Sequence, residues 1–215
     1  MIDAVVFDLD GVIVDTEELW DEIREGLARE RGGTWSERAT ADMMGMSSPE
    51  WSRYMHDVVG VADPPEEINR EVVRRLLVQY AEVPPVIDGA LEAVRRLAKR
   101  WPLGLASSSN REVIDVALEV TGLAPLFRAA VSSEEVAAGK PAPDVYLEAA
   151  RQLGVDPPRC AAIEDSANGI RSAAAAGMRV VAIPNRAFPP PQDVIRLAAV
   201  ALDSIRELTP SVVSG

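Results

Sequence analysis

The sequence predicts an α/β fold: a parallel sheet with helices on both faces, interrupted once by an all-helical insert. Three observations carry that expectation. Short apolar runs alternate with stretches of helical periodicity along most of the chain. The runs are continuous, as strands buried on both faces are, rather than alternating with polar residues. One segment, residues 16–81, has no strand-like run at all. Strand and helix in turn imply parallel strands joined by right-handed crossovers.

The first strand is Val5-Val6-Phe7. The insert follows, opening with a helix whose apolar face is Leu19, Ile23 and Leu27. Ser48-Pro49 reads as an N-cap followed by a first-turn proline, and Asp63-Pro64-Pro65-Glu66 opens a further helix carrying Ile68, Val72, Leu76, Leu77 and Tyr80. Val83-Pro84-Pro85-Val86 returns the chain to the sheet. Residues 1–15 and 82–215 are therefore expected to form the core domain, and residues 16–81 the insert. Beyond it, Leu91, Val94, Leu97, Ala98 and Trp101 recur at helical spacing, as do Tyr146, Ala149, Ala150 and Leu153. Asp88-Gly89, Asn110, Asp144 and Ser166 are the expected helix starts. The remaining strands are Leu103–Ala106, Ala129–Val131, Ala161–Ile163 and Val180–Ile183, and Pro189-Pro190-Pro191 reads as a stiff surface loop.

Composition narrows the function classes. The 215 residues suffice for one sheet domain plus an insert. With 22 Lys+Arg against 34 Asp+Glu, the net charge of −12 lacks the positive footprint that nucleic acid or an anionic membrane requires. The longest uncharged stretch, Trp101 to Asn110, is far short of a membrane span. Met1-Ile2-Asp3-Ala4 lacks the start of a signal peptide, so a cytoplasmic location is expected. Cys160, the only cysteine, precedes an apolar run and reads as a small core residue; His56, the only histidine, reads as packing or solvated.

Three strands end in unusual polar residues. These are Asp8-Leu9-Asp10-Gly11 after the first, Ser107-Ser108-Ser109-Asn110 after the second and Glu164-Asp165-Ser166 after the fourth. Open parallel sheets bind ligands outside the carboxyl ends of their strands. Taken singly, Asp10-Gly11 is also a turn, Ser107–Asn110 a polar loop, Glu164-Asp165 a helix start and Lys140 a surface lysine. Together those plain readings fail. Asp8, Asp10, Glu164 and Asp165 would crowd one sheet edge, and two like charges about 4 Å apart repel by roughly 4 kcal/mol at an effective dielectric near 20. Something positive must sit among them. An oxygen-only site suits a hard cation, Mg²⁺ above all, with Lys140 and serine hydroxyls completing a phosphate site.

In these residues the sequence resembles the haloacid dehalogenase superfamily, in its phosphatase and phosphomutase branch. Asp8-Leu9-Asp10-Gly11-Val12 fits its first motif, Ser107 its second, Lys140-Pro141-Ala142-Pro143-Asp144 its third and Glu164-Asp165-Ser166 its fourth, in the family's order. Asn168-Gly169-Ile170 and Ala176-Gly177 fit its habit as well. The resemblance implies a Rossmann-like core with a small helical cap, the insert. It makes Asp8 the nucleophile that forms an aspartyl-phosphate, and Asp10 the acid and base. Mg²⁺ would be held by Asp8, the Asp10 carbonyl and Asp165, with Glu164 assisting directly or through water. Leu9, Gly11, Ser107, Ser108 and Lys140 would hold the phosphate. Glu17, Trp20, Gly45, Ser47, Ser48 and Asn110 are the candidate substrate contacts, with Trp35 and Trp51 as further aromatics at the mouth. Asp10 speaks against dehalogenase and phosphonate chemistry. Trp20 and Ser48 stand where related sugar phosphomutases carry a histidine and an arginine, which favours hydrolase over mutase. A non-catalytic phosphate-binding module is the reading from another class. The implied partner is a small phosphate ester, and the chain is expected as a monomer or weak dimer.

Overall fold

The computed structural model describes residues 1–36, 38–43, 46–82, 85–186 and 189–215, with Glu17, Ala81 and Glu82 by backbone alone. The expected contacts from Gly45 and from the Glu17 side chain, and the linker at Val83-Pro84, lie outside the described residues. Strand β1 (Ala4–Phe7) is followed by four helices, α1 (Glu17–Glu30), α2 (Ala39–Met43), α3 (Ser48–Tyr54) and α4 (Pro65–Glu82). Then come α5 (Ala90–Ala98), β2 (Leu103–Ser107), α6 (Arg111–Val120), β3 (Phe127–Ser132) and α7 (Asp144–Leu153). The chain continues through β4 (Cys160–Glu164), α8 (Ala167–Ala175), β5 (Arg179–Ala182), α9 (Gln192–Ile195), β6 (Val200–Ala201) and α10 (Pro210–Ser214). Among the described residues no helix is long and apolar enough to cross a membrane.

The fold class is the one expected. Six strands form a parallel sheet in the order β3-β2-β1-β4-β5-β6. The order reverses at β1, with β2 on one side and β4 on the other, and a crevice opens at such a switch point. Side chains of β1 alternate between two apolar layers: Val5 and Phe7 pack with α5, α6 and the inserted helices, and Ala4 and Val6 with α7 and α8. Phe7 pairs with Ile163 of β4, so the next residues, Asp8 and Glu164, emerge side by side at the sheet's carboxyl end.

Local chemistry explains where the elements depart from expectation. Ser47, not Ser48, is the N-cap of α3, because Glu50 sits three residues after it and accepts from the Ser47 N–H (2.8 Å) and hydroxyl (2.6 Å). Asp10-Gly11 does make a tight turn, with Gly11 at φ +77° and its N–H donated to the Val14 carbonyl, but the chain then enters α1 rather than a second hairpin strand. The sixth strand, two residues at the edge, carries too little sequence to show a pattern. His56 donates its Nδ1–H to the carbonyls of Val61 (3.0 Å) and Asp63 (2.9 Å), closing the loop before α4.

Candidate active site

Asp8 leaves β1 with its N–H donated to the Ile163 carbonyl, which holds the residue in sheet register one step beyond the strand. Its side chain is nearly buried. Lys140, on the loop before α7, reaches across to it: Nζ lies 2.9 Å from Asp8 Oδ1 and 2.6 Å from Glu164 Oε1, and the lysine is buried. Ser172 of α8 fixes that loop by donating to the Ala142 carbonyl (2.6 Å). The surface reading of Lys140 is thereby excluded. Burial pulls the Lys140 ammonium down, but the two carboxylates outweigh it and hold it above the usual lysine value. Burial pushes the Asp8 carboxyl up to about 8, with Lys140 pulling the other way and Glu164 and Asp10 adding to the rise.

Glu164 is engaged on both oxygens. Oε1 accepts from Lys140 and from the Tyr146 hydroxyl (2.8 Å); Oε2 accepts from the backbone of Asp165 (3.0 Å) and Ser166 (3.2 Å) and from the Ser166 hydroxyl (3.2 Å). Five donors fill the lone pairs of one carboxylate. That narrows the expectation of direct metal ligation: Glu164 is turned toward aiming Lys140. A Cβ at residue 169 would fall 1.7 Å from Glu164 Oε1, so only glycine admits this carboxylate over the start of α8. Gly11 makes the same allowance for Asp165, since a Cβ there would lie 2.0 Å from Oδ2. With its N–H spent on Val14, Gly11 offers room rather than a donor. Leu9 is core, its carbonyl accepting from Ile13 (2.8 Å) and Val14 (3.1 Å).

Asp8, Glu164 and Asp165 bring carboxylate oxygens within 4.8 Å of one another, all buried. Oxygen donors alone, with one lysine already spent between two of them, suit a hard divalent cation and no softer metal.

Asp10 stands two residues on, its carboxylate held by Thr16 Oγ1 (2.5 Å to Oδ1) and Ser109 Oγ (2.7 Å to Oδ2), with Trp20 Nε1 at 3.4 Å. Ser107 is buried and its hydroxyl accepts from the Ser109 N–H (3.0 Å), shaping the loop that turns Ser108 and Ser109 to the cavity. The cavity is lined by Asp8, Asp10, Lys140, Asp165 and Ser108 from the core and by Trp20 and Trp51 from the insert. Ser47, Ser48 and Asn110 are not on its wall. Ser48 Oγ donates to Asn110 Oδ1 (2.8 Å), and Asn110 Nδ2 donates to Glu134 Oε1 (2.8 Å) and Asn69 Oδ1 (3.2 Å), so these residues tie the insert to the core. Trp35 is half-buried against the apolar core rather than on the cavity wall. The wall also includes Ser109 and Ser166, which belong to the polar strand-end clusters, and Arg24, Met43 and Met46, which the motifs do not single out. For Arg24 the signal existed: it follows Trp20 by four residues on one helix face.

The chain matches a family profile described as haloacid dehalogenase-like hydrolase over residues 2–177. Hexitol phosphatase B of Escherichia coli (strain K12) is 34% identical over 215 residues, covering 96% of this chain and 94% of that protein. Among solved structures, CbbY from Rhodobacter sphaeroides in complex with phosphate superposes with a TM-score of 0.88 at 25% identity over the whole of both chains. The beta-phosphoglucomutase of Clostridium difficile, at 22% identity, shares the fold with a TM-score of 0.86, covering 100% of this chain and 96% of that one. The resemblance read from the four motifs therefore holds, and the chain belongs to the haloacid dehalogenase-like hydrolase family.

Proposed function

We propose that the protein is a Mg²⁺-dependent phosphatase that hydrolyses a small phosphorylated metabolite of sugar-phosphate type through an aspartyl-phosphate on Asp8. The observation that carries this is the buried Asp8–Lys140–Glu164 contact with Asp10 two residues away, with Asp8, Asp10 and Lys140 lining one cavity. A relative named for hexitol phosphate hydrolysis supports the substrate class.

In this reading a carboxylate oxygen of Asp8 attacks phosphorus as the bond to the alcohol oxygen breaks. Asp10 gives its proton to that departing oxygen. Asp10, now ionised, takes a proton from water, whose oxygen attacks phosphorus and releases Asp8 and inorganic phosphate. Lys140 holds a phosphoryl oxygen against the nucleophile, aimed by Glu164, while Ser107 shapes the serine loop and Ser108 supplies donors. Asp8, Asp165 and the Asp10 carbonyl would hold Mg²⁺, which when bound offsets the charge of the transferring group and keeps Asp8 ionised. Thr16 and Trp20 hold Asp10 in reach until substrate arrives. The inserted helices act as the cap that excludes water and chooses the ester.

The test is phosphate release from a broad panel of phosphate esters with Mg²⁺ and with excess EDTA. The proposal expects release that EDTA abolishes. Full activity after exhaustive dialysis into EDTA overturns the metal. Conversion of a β-sugar 1-phosphate to its 6-phosphate without phosphate release overturns hydrolysis in favour of a mutase.

A further inference from the structure

Tyr80, in the last turn of α4, is fully buried, yet among the described residues its hydroxyl has no hydrogen-bond partner. A buried hydroxyl without a partner lowers stability, so a phenylalanine would serve packing better. The polar groups that act on it are the Asp10 carboxylate and the Thr16 hydroxyl, the latter close by but without the geometry of a hydrogen bond. Burial and the Asp10 charge raise the phenol well above its usual value, with Thr16 pulling it down. It therefore stays protonated, able both to donate and to accept.

Thr16 is used in an unusual way. It is the N-cap of α1, where a threonine hydroxyl ordinarily accepts from the first turn, but it makes no such bond and is itself buried. It donates to Asp10 Oδ1 at 2.5 Å instead, while Ser109 donates to Oδ2 at 2.7 Å. Both carboxyl oxygens are thus occupied, and Asp10 must give one of them up to serve the departing alcohol. If Oδ1 leaves, the buried Thr16 hydroxyl loses its acceptor, which is costly unless another stands ready. The Tyr80 oxygen, whose lone pairs are unspent, is that acceptor. The pair also stands where the chain passes between core and insert: α1 begins just after Thr16, α4 ends just after Tyr80, and the two helices pack together.

We propose that Tyr80 is a positioning residue that takes over the Thr16 hydroxyl when Asp10 turns to the departing alcohol, so that releasing the acid does not strand a buried donor. One hydrogen bond moves from Asp10 Oδ1 to the Tyr80 oxygen, and no covalent bond changes. This rests on the phosphatase reading above, with Asp10 as its acid.

The test compares kcat/KM with Mg²⁺ for two esters. One is an alkyl ester of the panel that the natural chain hydrolyses, a hexitol monophosphate first, whose alcohol needs a proton to depart. The other is p-nitrophenyl phosphate, whose phenolate departs without one. Tyr80→Phe keeps the ring and removes only the hydroxyl, and its melting temperature should stand at or above that of the natural chain. The ratio of alkyl to nitrophenyl ester should fall by about tenfold in this variant, the worth of one hydrogen bond. Thr16→Val removes the hydroxyl that moves between the two partners. Adding Tyr80→Phe to it should therefore leave the ratio where Thr16→Val alone sets it. A tyrosine with a merely structural role would scale both esters by one factor. Equal scaling of the two esters, the same fall in both backgrounds, or a clear loss of melting temperature in Tyr80→Phe overturns the inference. Absence of all hydrolysis by the natural chain overturns the phosphatase reading and the inference with it.

Discussion

At Lys140 two opposed effects meet, and the structure shows which wins: burial disfavours the charge, yet Asp8 and Glu164 on either side hold it. The same burial acts on Asp8 and there it wins, raising the carboxyl although Lys140 pulls the other way. These residues were legible because their types and order repeat a known pattern. Arg24 shares a helix face with Trp20 but does not stand out there, because an arginine on an amphipathic helix ordinarily covers surface with its stem and leaves its head in water. Two outcomes test the residue scale. Asp10→Asn keeps the backbone carbonyl but loses the proton transfer, so kcat should fall by about 10²–10⁴-fold; a rate within twofold of the natural chain at neutral pH contradicts its role. Cys160 is buried, its thiol donating to the Asp156 carbonyl at 3.7 Å. Burial pushes it from 9.0 up to about 11, with Asp3 and Asp156 adding. The folded state thus favours the protonated thiol, and its contribution to stability is present below pH 9 and lost as pH rises toward 11. At pH 8 the folded chain should react with iodoacetamide at least about a hundredfold more slowly than the unfolded chain, the ratio of thiolate fractions. Equal rates contradict the burial.

Elements were read well where periodicity was strong and poorly where two serines competed. Ser47 and Ser48 are equally good caps by type, and the decision came from Glu50, whose reach fits only the first. That frees Ser48 to face Asn110 across the boundary between α3 and α6. Asn110 was expected near substrate from its place after the serines; its side chain instead joins Ser48, Asn69 and Glu134. Nothing in one sequence shows that Asn69, on α4, comes to meet it. Asn110→Ala leaves the buried Ser48 hydroxyl and its neighbours short of partners and should destabilise the protein by about 1–3 kcal/mol in urea. A change under about 0.5 kcal/mol, the range of ordinary surface substitutions, contradicts a role for this network in joining insert to core.

At the scale of the whole molecule, the sheet's order explains why distant segments meet. β1 lies between β2 and β4, so residues near positions 8, 107 and 164 share one edge, and the loop before α7 folds over it with Lys140. The sequence could announce that edge because each strand there ends in polar residues. It could not announce how the inserted helices close over it, since that depends on side chains whose partners are far away in the chain. The central claim is that Asp8 carries the phosphoryl group, and acid-quenched enzyme incubated with Mg²⁺ and a hydrolysed ester tests it most directly by peptide mass spectrometry. The account predicts a phosphoryl adduct on the Asp8 peptide, and an Asp8→Asn variant with neither adduct nor turnover. Turnover that persists in Asp8→Asn, or an adduct on any other residue, would contradict it.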